Sequence, residues 1–210
     1  MDMNAGTHKH VIRTNLPARF GSFRKVEKMK VTRKVQMKVD DMMLEVRVGD
    51  QIKVKLPGMK MTATCHKVST EGALFVFDEC ISRHPMIGLH EWLNEDFAQM
   101  IPNKLKRRMR PFGDGSMIRL LTFGEVFGSE NCPDWIKNDN QEQLELMKDR
   151  KNRIAFFDGQ NWCWWWLQNV TLNDDGSEAA SGFAGVGSGG DAGGYSASGS
   201  GGVRPAFLIA

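Results

Sequence analysis

Residues 173–202 hold eleven glycines in thirty positions, and apolar sequence closes the run at both ends. Glycine-rich composition alone describes a flexible linker, but its flanks argue against that. Upstream stands "NWCWWWLQNV" (161–170), with four tryptophans in the five positions 162–166. Downstream only "VRPAFLIA" follows, too short for a domain. Its Val203, Ala206, Phe207, Leu208 and Ile209 read as a buried strand that needs a sheet. The run is therefore expected to cross back over the body as short strands and tight turns. Glycine would serve where φ is positive or backbones pass closely, and "NDDG" at 173–176 supplies one such turn.

The tryptophans also read as a strand. In an extended chain Trp162, Trp164 and Trp166 point one way and Cys163, Trp165 and Leu167 the other. A strand apolar on both faces belongs inside a domain. Aromatic clustering and the turn pair Asp158-Gly159 favour strand over helix. Two uses of the rings stay open at this point: core packing, or a floor for a binding surface at the strand's end.

The remainder divides by period. Residues 1–28 are expected to form a basic extended arm, and 29–210 a single domain. Met29, Val31, Val35, Met37 and Val39 alternate with lysines, as in an edge strand. "LEVRVGDQIKVKL" reads as two strands about Gly49-Asp50, and "MTATCHKV" and "ALFVFDEC" extend the β-rich region over 29–80. A helical region over 88–150 follows. Leu89, Trp92, Leu93, Phe97, Met100 and Ile101 fall at helical spacing until Pro102. "NKLKRRMRPF" offers a second short helix, and "TFGEVFG" a third with Thr122 and Glu125 as capping box and Gly128 as stop. Asp139 and Glu142 repeat the capping spacing before "QLELMKDR". The Trp strand, glycine-rich crossover and final strand complete the domain over 153–210.

No apolar run reaches eighteen residues, so no membrane span is expected. The first twenty residues lack the apolar stretch of a secretory signal. The expectation is cytoplasmic synthesis, with placement in a virion as a further station. Cys65, Cys80, Cys132 and Cys163 are scattered without a CxxC pair, which reads as four reduced, mostly buried thiols. Charge is unevenly placed. Residues 1–40 carry ten Lys/Arg against three acids, and the remaining 170 residues carry 18 against 22. A basic arm on a mildly acidic body suits an anionic contact, whether nucleic acid, an acidic protein face or the body itself.

Taken together, "WWWLQN" (164–169), "FAGVG" (183–187) and "GGVRPAFLI" (201–209) resemble the closing signature of a bacterial domain family of unknown function common in prophages and mobile elements. "VRVGDQIKV", "GALFVFDECISRHPM", "LHEWLNEDFAQMIPNKLKRRM", "IRLLTFGEVFG" and "RKNRIAFF" resemble its longer, phage-associated members, so the likeness runs from about residue 45 to the C-terminus. That family is similar to the C-type-lectin superfamily, including formylglycine-generating enzymes and the variable proteins of diversity-generating retroelements. The resemblance implies an α+β, C-type-lectin-like (formylglycine-generating-enzyme-like) mixed fold. Small antiparallel sheets with flanking helices are expected, and the chain's end would return to pair inside. It also implies a ligand-facing segment between the Trp strand and the last strand.

The chain departs from its better-known members. Formylglycine-generating enzymes hold copper with paired late cysteines, whereas Cys163 is the only late cysteine here. The calcium tripeptide and Trp-Asn-Asp of sugar-binding lectins are absent, and the crossover lacks the Asn and Tyr wealth of adenine-directed diversification. No cofactor or metal and no enzymatic activity are expected. Cys65 beside His66 would face opposite ways in a strand. Arg204, flanked by apolar residues, is expected to anchor a buried carboxylate or carbonyls.

The reading is a non-enzymatic recognition protein of phage or mobile-element origin. Its ligand-binding candidates are Trp162, Trp164, Asn169, Asp174, Asp175, Tyr195, Ser196 and Ser198, with Tyr195, the chain's only tyrosine, as anchor. The partner would be a protein ligand or host-surface component, with homo-oligomerisation through the arm. The alternative is an intracellular phage accessory factor that binds nucleic acid or a host protein. Its basic contacts would be Arg24, Lys25, Lys28, Lys104, Lys106, Arg107 and Arg108.

Overall fold

The computed structural model describes the backbone of Gln36–Met37 and residues 46–210. The arm at 1–28, with Arg24, Lys25 and Lys28, and most of the lysine-rich strand over 29–39 lie outside the described residues. The chain is a mixed α+β protein, and its described residues are mostly strands with a few short helices, in three sheets.

The largest sheet contains β1 (Gln36–Met37), β2 (Gln51–Leu56), β3 (Met59–Ser69), β4 (Gly72–Phe77), β6 (Met109–Arg110) and β13 (Ala206–Ile209), in the order β1-β2-β3-β4-β13-β6. The last strand thus enters the sheet between β4 and β6, antiparallel to both. In β4, Phe75 and Phe77 face one core while Leu74 and Val76 face another. In β13, Phe207 and Ile209 divide from Ala206 and Leu208 in the same way. The terminal apolar run is buried on both faces, which is why it reads as continuous rather than alternating sequence.

The second sheet runs β11-β10-β9-β12-β5. It joins β5 (Ser82–His84), β9 (Trp165–Leu172), β10 (Glu178–Val186), β11 (Ala192–Ser196) and β12 (Gly201–Val203). The glycine-rich run is therefore three strands and their turns, with Gly176 (φ 79°) and Gly190 (φ 83°) in the left-handed region. The Trp strand β9 lies at the sheet's centre. Trp166 packs in the first core, and Cys163, Trp165 and Leu167 in the second, as the alternation expects. β7 (Ala155–Phe157) and β8 (Asn161–Cys163) form a separate hairpin across Asp158-Gly159, both at positive φ.

The first expected helix forms as α1 (Leu89–Trp92), a π turn at Leu93–Phe97 and α2 (Ala98–Met100), with Ile101 already extended before Pro102. Leu89, Leu93, Phe97 and Ile101 are all buried. A spacing of four drifts around an α-helix of 3.6 residues per turn, and the wider π turn holds these side chains on one face. Asn94 locks this helix to the loop after it. Its Oδ1 accepts from the N–H groups of Met117 and Ile118, and its Nδ2 donates to the Ile118 carbonyl at 2.9 Å.

α3 (Asn103–Lys106) is only the first part of the expected basic helix, because Met109–Arg110 leave it to pair as β6, whereas α4 (Phe123–Phe127) has the expected capping box and ends at Gly128. Two expectations need correction. Upstream of Gly49-Asp50, residues 46–48 form no strand; Cys65 exchanges backbone hydrogen bonds with the turn itself. Nor does a helix start at Asp139. That side chain caps α4 and its own turn, and only 3₁₀ turns follow, at Glu145–Lys148 and Arg150–Arg153.

Candidate functional site

The eight ligand candidates separate into four places. Trp164 sits in the break between β8 and β9, and Tyr195 on β11. Their rings stack at 4.0 Å between centroids and 13° between planes. The Trp166 ring meets both edge-on, at 4.7 Å from Trp164 and 6.0 Å from Tyr195. Offset and edge-on pairs of this kind each add about 0.5–1.5 kcal/mol beyond burial.

Glycine makes this arrangement accessible. A Cβ at Gly193 would stand 2.9 Å from the Tyr195 hydroxyl oxygen, and one at Gly185 would stand 2.9 Å from two ring carbons. The tyrosine ring lies flat along backbone that bears no side chains. Gly201 does the same for the tryptophans: a Cβ there would lie 2.5 Å from the Trp164 ring and 2.6 Å from Trp166 Nε1. Trp164 and Tyr195 are half-buried. Burial raises the Tyr195 phenol above its ordinary pKa, so the hydroxyl is a neutral donor at physiological pH.

Ser196 ends β11 and Ser198 stands in the turn after it, with their hydroxyls 3.0 Å apart, beside Gly199, which borders the Trp164 ring. These four residues form one shelf. On the same side of the sheet, a cavity of about 270 Å³ opens between the helix residues Leu89 and Leu93 and the strand residues Phe183 and Gln168.

The other candidates lie elsewhere. Trp162 is 64% exposed on the small hairpin, edge-on to Phe156. Asp174 and Asp175 occupy the β9–β10 turn. That turn is at the opposite end of an eight-residue strand from Trp164, on the order of 25 Å away. There the Ser177 hydroxyl and N–H donate to Asp175 and hold its carboxyl below the usual carboxylate range. Asn169 is buried and fully engaged. Its Oδ1 accepts from Phe123 N–H at 2.6 Å, and its Nδ2 donates to the Lys137 carbonyl and to Asp139.

Asn169 therefore caps α4 together with Asp139, whose carboxylate accepts from Gly124 N–H. Burial opposes the Asp139 charge, but hydrogen bonds from Gly124, Asn169 and Gln141 outweigh it and keep the carboxyl below its ordinary pKa. Of the basic candidates, Lys104 and Arg107 are exposed. Lys106 donates to the Gln99 carbonyl and Arg107 to that of Asn103. Arg108 anchors the chain's end, since its carbonyl accepts from Ala210 N–H. Arg204 is buried and donates to the carbonyls of Phe77 and Asn152, at 2.7 and 2.8 Å, beneath the Trp165 ring.

One association was invisible in the sequence. Cys80, after β4, and Cys163, at the end of β8, meet across Gly202. A Cβ there would lie 2.6 Å from the first sulfur and 2.7 Å from the second. The neighbouring Cys163 sulfur and burial hold the Cys80 proton on. The Cys80 thiol beside it, aided by Arg83, draws Cys163 below the ordinary thiol value, and the Cys163 thiol itself meets the Trp164 carbonyl at 3.2 Å. Only the strand pairings around Gly202 bring these cysteines together.

Compared with known proteins, the chain matches no family model, no curated protein and no solved structure.

Proposed function

We propose that the chain is a non-enzymatic recognition protein of phage or mobile-element origin, with a C-type-lectin-like body and a protein ligand. The observation that carries this reading is the half-exposed Trp164–Tyr195 stack on glycine-bare strands. Its rim is Ser196 and Ser198, so Tyr, Ser and Gly combine as they do in antibody contact surfaces. There rigid rings supply contact area and small polar groups adapt around them. Tyrosine and tryptophan are also the side chains that most often dominate binding energy at protein interfaces. The lectin-like architecture draws support from the chain's end, which returns to pair with β4 inside the main sheet.

Asn169 leaves the contact set, because its amide is fully used inside. Trp162 and the Asp174–Asp175 turn would serve only a partner broad enough to reach beyond the shelf. The nucleic-acid alternative is weakened by the local engagement of Lys106 and Arg107. No helix of the described residues is long and apolar enough to cross a membrane.

The test is a binding screen against bacterial surface proteins and virion proteins, comparing wild type with Tyr195→Ala, Ser198→Arg and the pair Lys104→Glu/Arg107→Glu. The shelf variants should lose at least tenfold in affinity while the charge variant keeps it. Loss confined to the charge variant, with retention on nucleic acid that falls steeply with salt, would favour the alternative. Assembly through the basic arm is tested separately: removing residues 1–28 should abolish any oligomer and leave the body's melting unchanged.

A further inference from the structure

The chain has four cysteines, and their surroundings differ. Cys65 is buried in the main core, donates to the Lys67 carbonyl and is pushed up to about 12 by burial. Cys132 is raised as well, by burial and then by the Asp139 and Asp134 carboxylates. Both are structural thiols, held protonated and slow to react. Cys80 and Cys163 are different. Their sulfurs flank one point, 2.6 and 2.7 Å from where a Cβ on Gly202 would stand, and each has a guanidinium nearby.

Arg83, an exposed residue, reaches over the Phe157 ring to Cys163. On the other side, buried Arg204 puts its field on Cys80 while its own hydrogen bonds go to two carbonyls. A thiolate at Cys163 is favoured by Coulomb attraction to Arg83 in a low-dielectric setting. Glycine at 202 keeps a side chain out of the space beside both sulfurs.

We propose that Cys80 and Cys163 form a redox pair that closes a disulfide within the folded chain on contact with a peroxide-class oxidant. The Cys163 thiolate attacks one peroxide oxygen, breaking the O–O bond. That gives a sulfenic acid on Cys163 and a hydroxide that leaves as water with the proton it takes up. Cys80 then gives up its proton, and its sulfur attacks the sulfenic sulfur, forming the S–S bond and releasing a second water. Two thiols are oxidised to one disulfide, and one peroxide is reduced to two waters. Cys163 is the entry point because it is the thiol that Arg83 reaches and the one drawn below the ordinary thiol value, on the strand that carries exposed Trp162; at 1% exposure, local opening of that hairpin has to admit the oxidant. Cys80 is the resolving thiol.

The bond would tie the corner after β4 to the residue that precedes Trp164. Oxidation would thus pin the start of the Trp strand to the main sheet. This pairing stands independently of the recognition reading.

The experiment uses the full chain, reduced and then treated with hydrogen peroxide while native. Intact mass should fall by two hydrogens, and peptide mapping should find Cys80 joined to Cys163. The reaction should persist below the pH at which an ordinary thiol, with a pKa of about 8.5, loses its thiolate. Cys163→Ser should slow peroxide consumption at least tenfold. Cys80→Ser should leave Cys163 to gain oxygen atoms instead of losing hydrogens. Cys65→Ser and Cys132→Ser should behave as wild type. An unchanged native mass in a chain whose thiols all titrate after unfolding would overturn the proposal. So would a crosslink mapped to Cys65, to Cys132 or between chains. The wild-type map decides the matter even if a serine variant fails to fold.

Discussion

β4 and β11 are both strands of this protein and are built in opposite ways. β4, "GALFVF", buries every side chain from Ala73 to Phe77, shared between two cores. β11, "AGGYS", carries one large ring on a nearly bare backbone and alternates between half-buried and exposed. The first sheet holds together through side chains packed on both faces. The second obtains its shape from missing side chains, which let Tyr195 and Trp164 lie on the backbone. A region built the first way resists change at every position, whereas one built the second way can vary its displayed residues as long as its glycines remain.

The comparison breaks first, and most heavily, in the main sheet. Phe207 lies in β13 with its ring 6.0 Å from Phe75 and 5.5 Å from Phe77. Phe207→Ala leaves a cavity where β13 packs beside β4, and about 3–5 kcal/mol of stability should go with it. Urea unfolding measures this. A loss below about 1 kcal/mol would mean the terminal strand contributes little, and the contrast with β11 would fail.

The main sheet also carries an acid-sensitive point. His66 is the bulge residue of β3, buried, with Nδ1 unpartnered among the described residues. Burial first, and then the Arg204 charge, lowers its pKa from 6.5 to about 3. The imidazole is thus neutral in the fold, while the unfolded chain takes up a proton below pH 6.5. Stability is full above that pH and falls between pH 6.5 and 3, with about 2 kcal/mol lost by pH 5. His66→Gln should flatten this slope, as thermal melts across the pH range would show. An unaltered slope would put the acid sensitivity elsewhere.

These two predictions separate what the sequence made legible from what it hid. The paired faces of β13 and β9 could be read because strands as apolar as "AFLI" and "WWWL" have side chains to bury on both faces, and each is shared between two cores. The capping box at Thr122 and Glu125 was equally legible, being a local device. Hidden were the effects of distant pairing. Asn169 looked like a polar contact of the ligand face, yet it satisfies the Phe123 N–H from across the fold. Asp139 looked like the cap of its own helix and instead caps α4. Cys80 and Cys163 meet only because β12 threads between them. The ligand candidates scattered for the same reason: sequence proximity placed Asp174 beside Trp164, but a full strand length separates them.

In the glycine-built sheet the sharpest change is an addition. Gly201→Ala puts a methyl 2.5 Å from the Trp164 ring and 2.6 Å from Trp166 Nε1. That indole N–H donates to the His84 carbonyl at 2.8 Å, so Trp166 cannot yield without losing a buried hydrogen bond. Overpacking of this order costs about 1–3 kcal/mol, and tryptophan fluorescence should shift as the stack is displaced. Gly159→Ala gives the control: it has no neighbour within 4 Å of its Cβ position, only a φ of 73°, so it should cost about 1 kcal/mol and leave the fluorescence unchanged. Equal effects of the two substitutions would show that glycine at 201 serves backbone freedom rather than ring contact.

The smallest expected effect is the most telling for the shelf. Tyr195→Ala removes a half-exposed ring whose main partner is Trp164, so stability should fall by only about 1 kcal/mol, well under the Phe207→Ala loss. Tyr195→Phe keeps the stack and removes a hydroxyl that has no hydrogen-bond partner among the described residues, so its melting temperature should match wild type. If the shelf is a contact surface, both variants weaken ligand binding while differing little in stability, because a ring selected for display is dispensable to folding. A Tyr195→Ala loss as large as that of Phe207→Ala would make the tyrosine a core residue, and β11 would then be built like β4 after all.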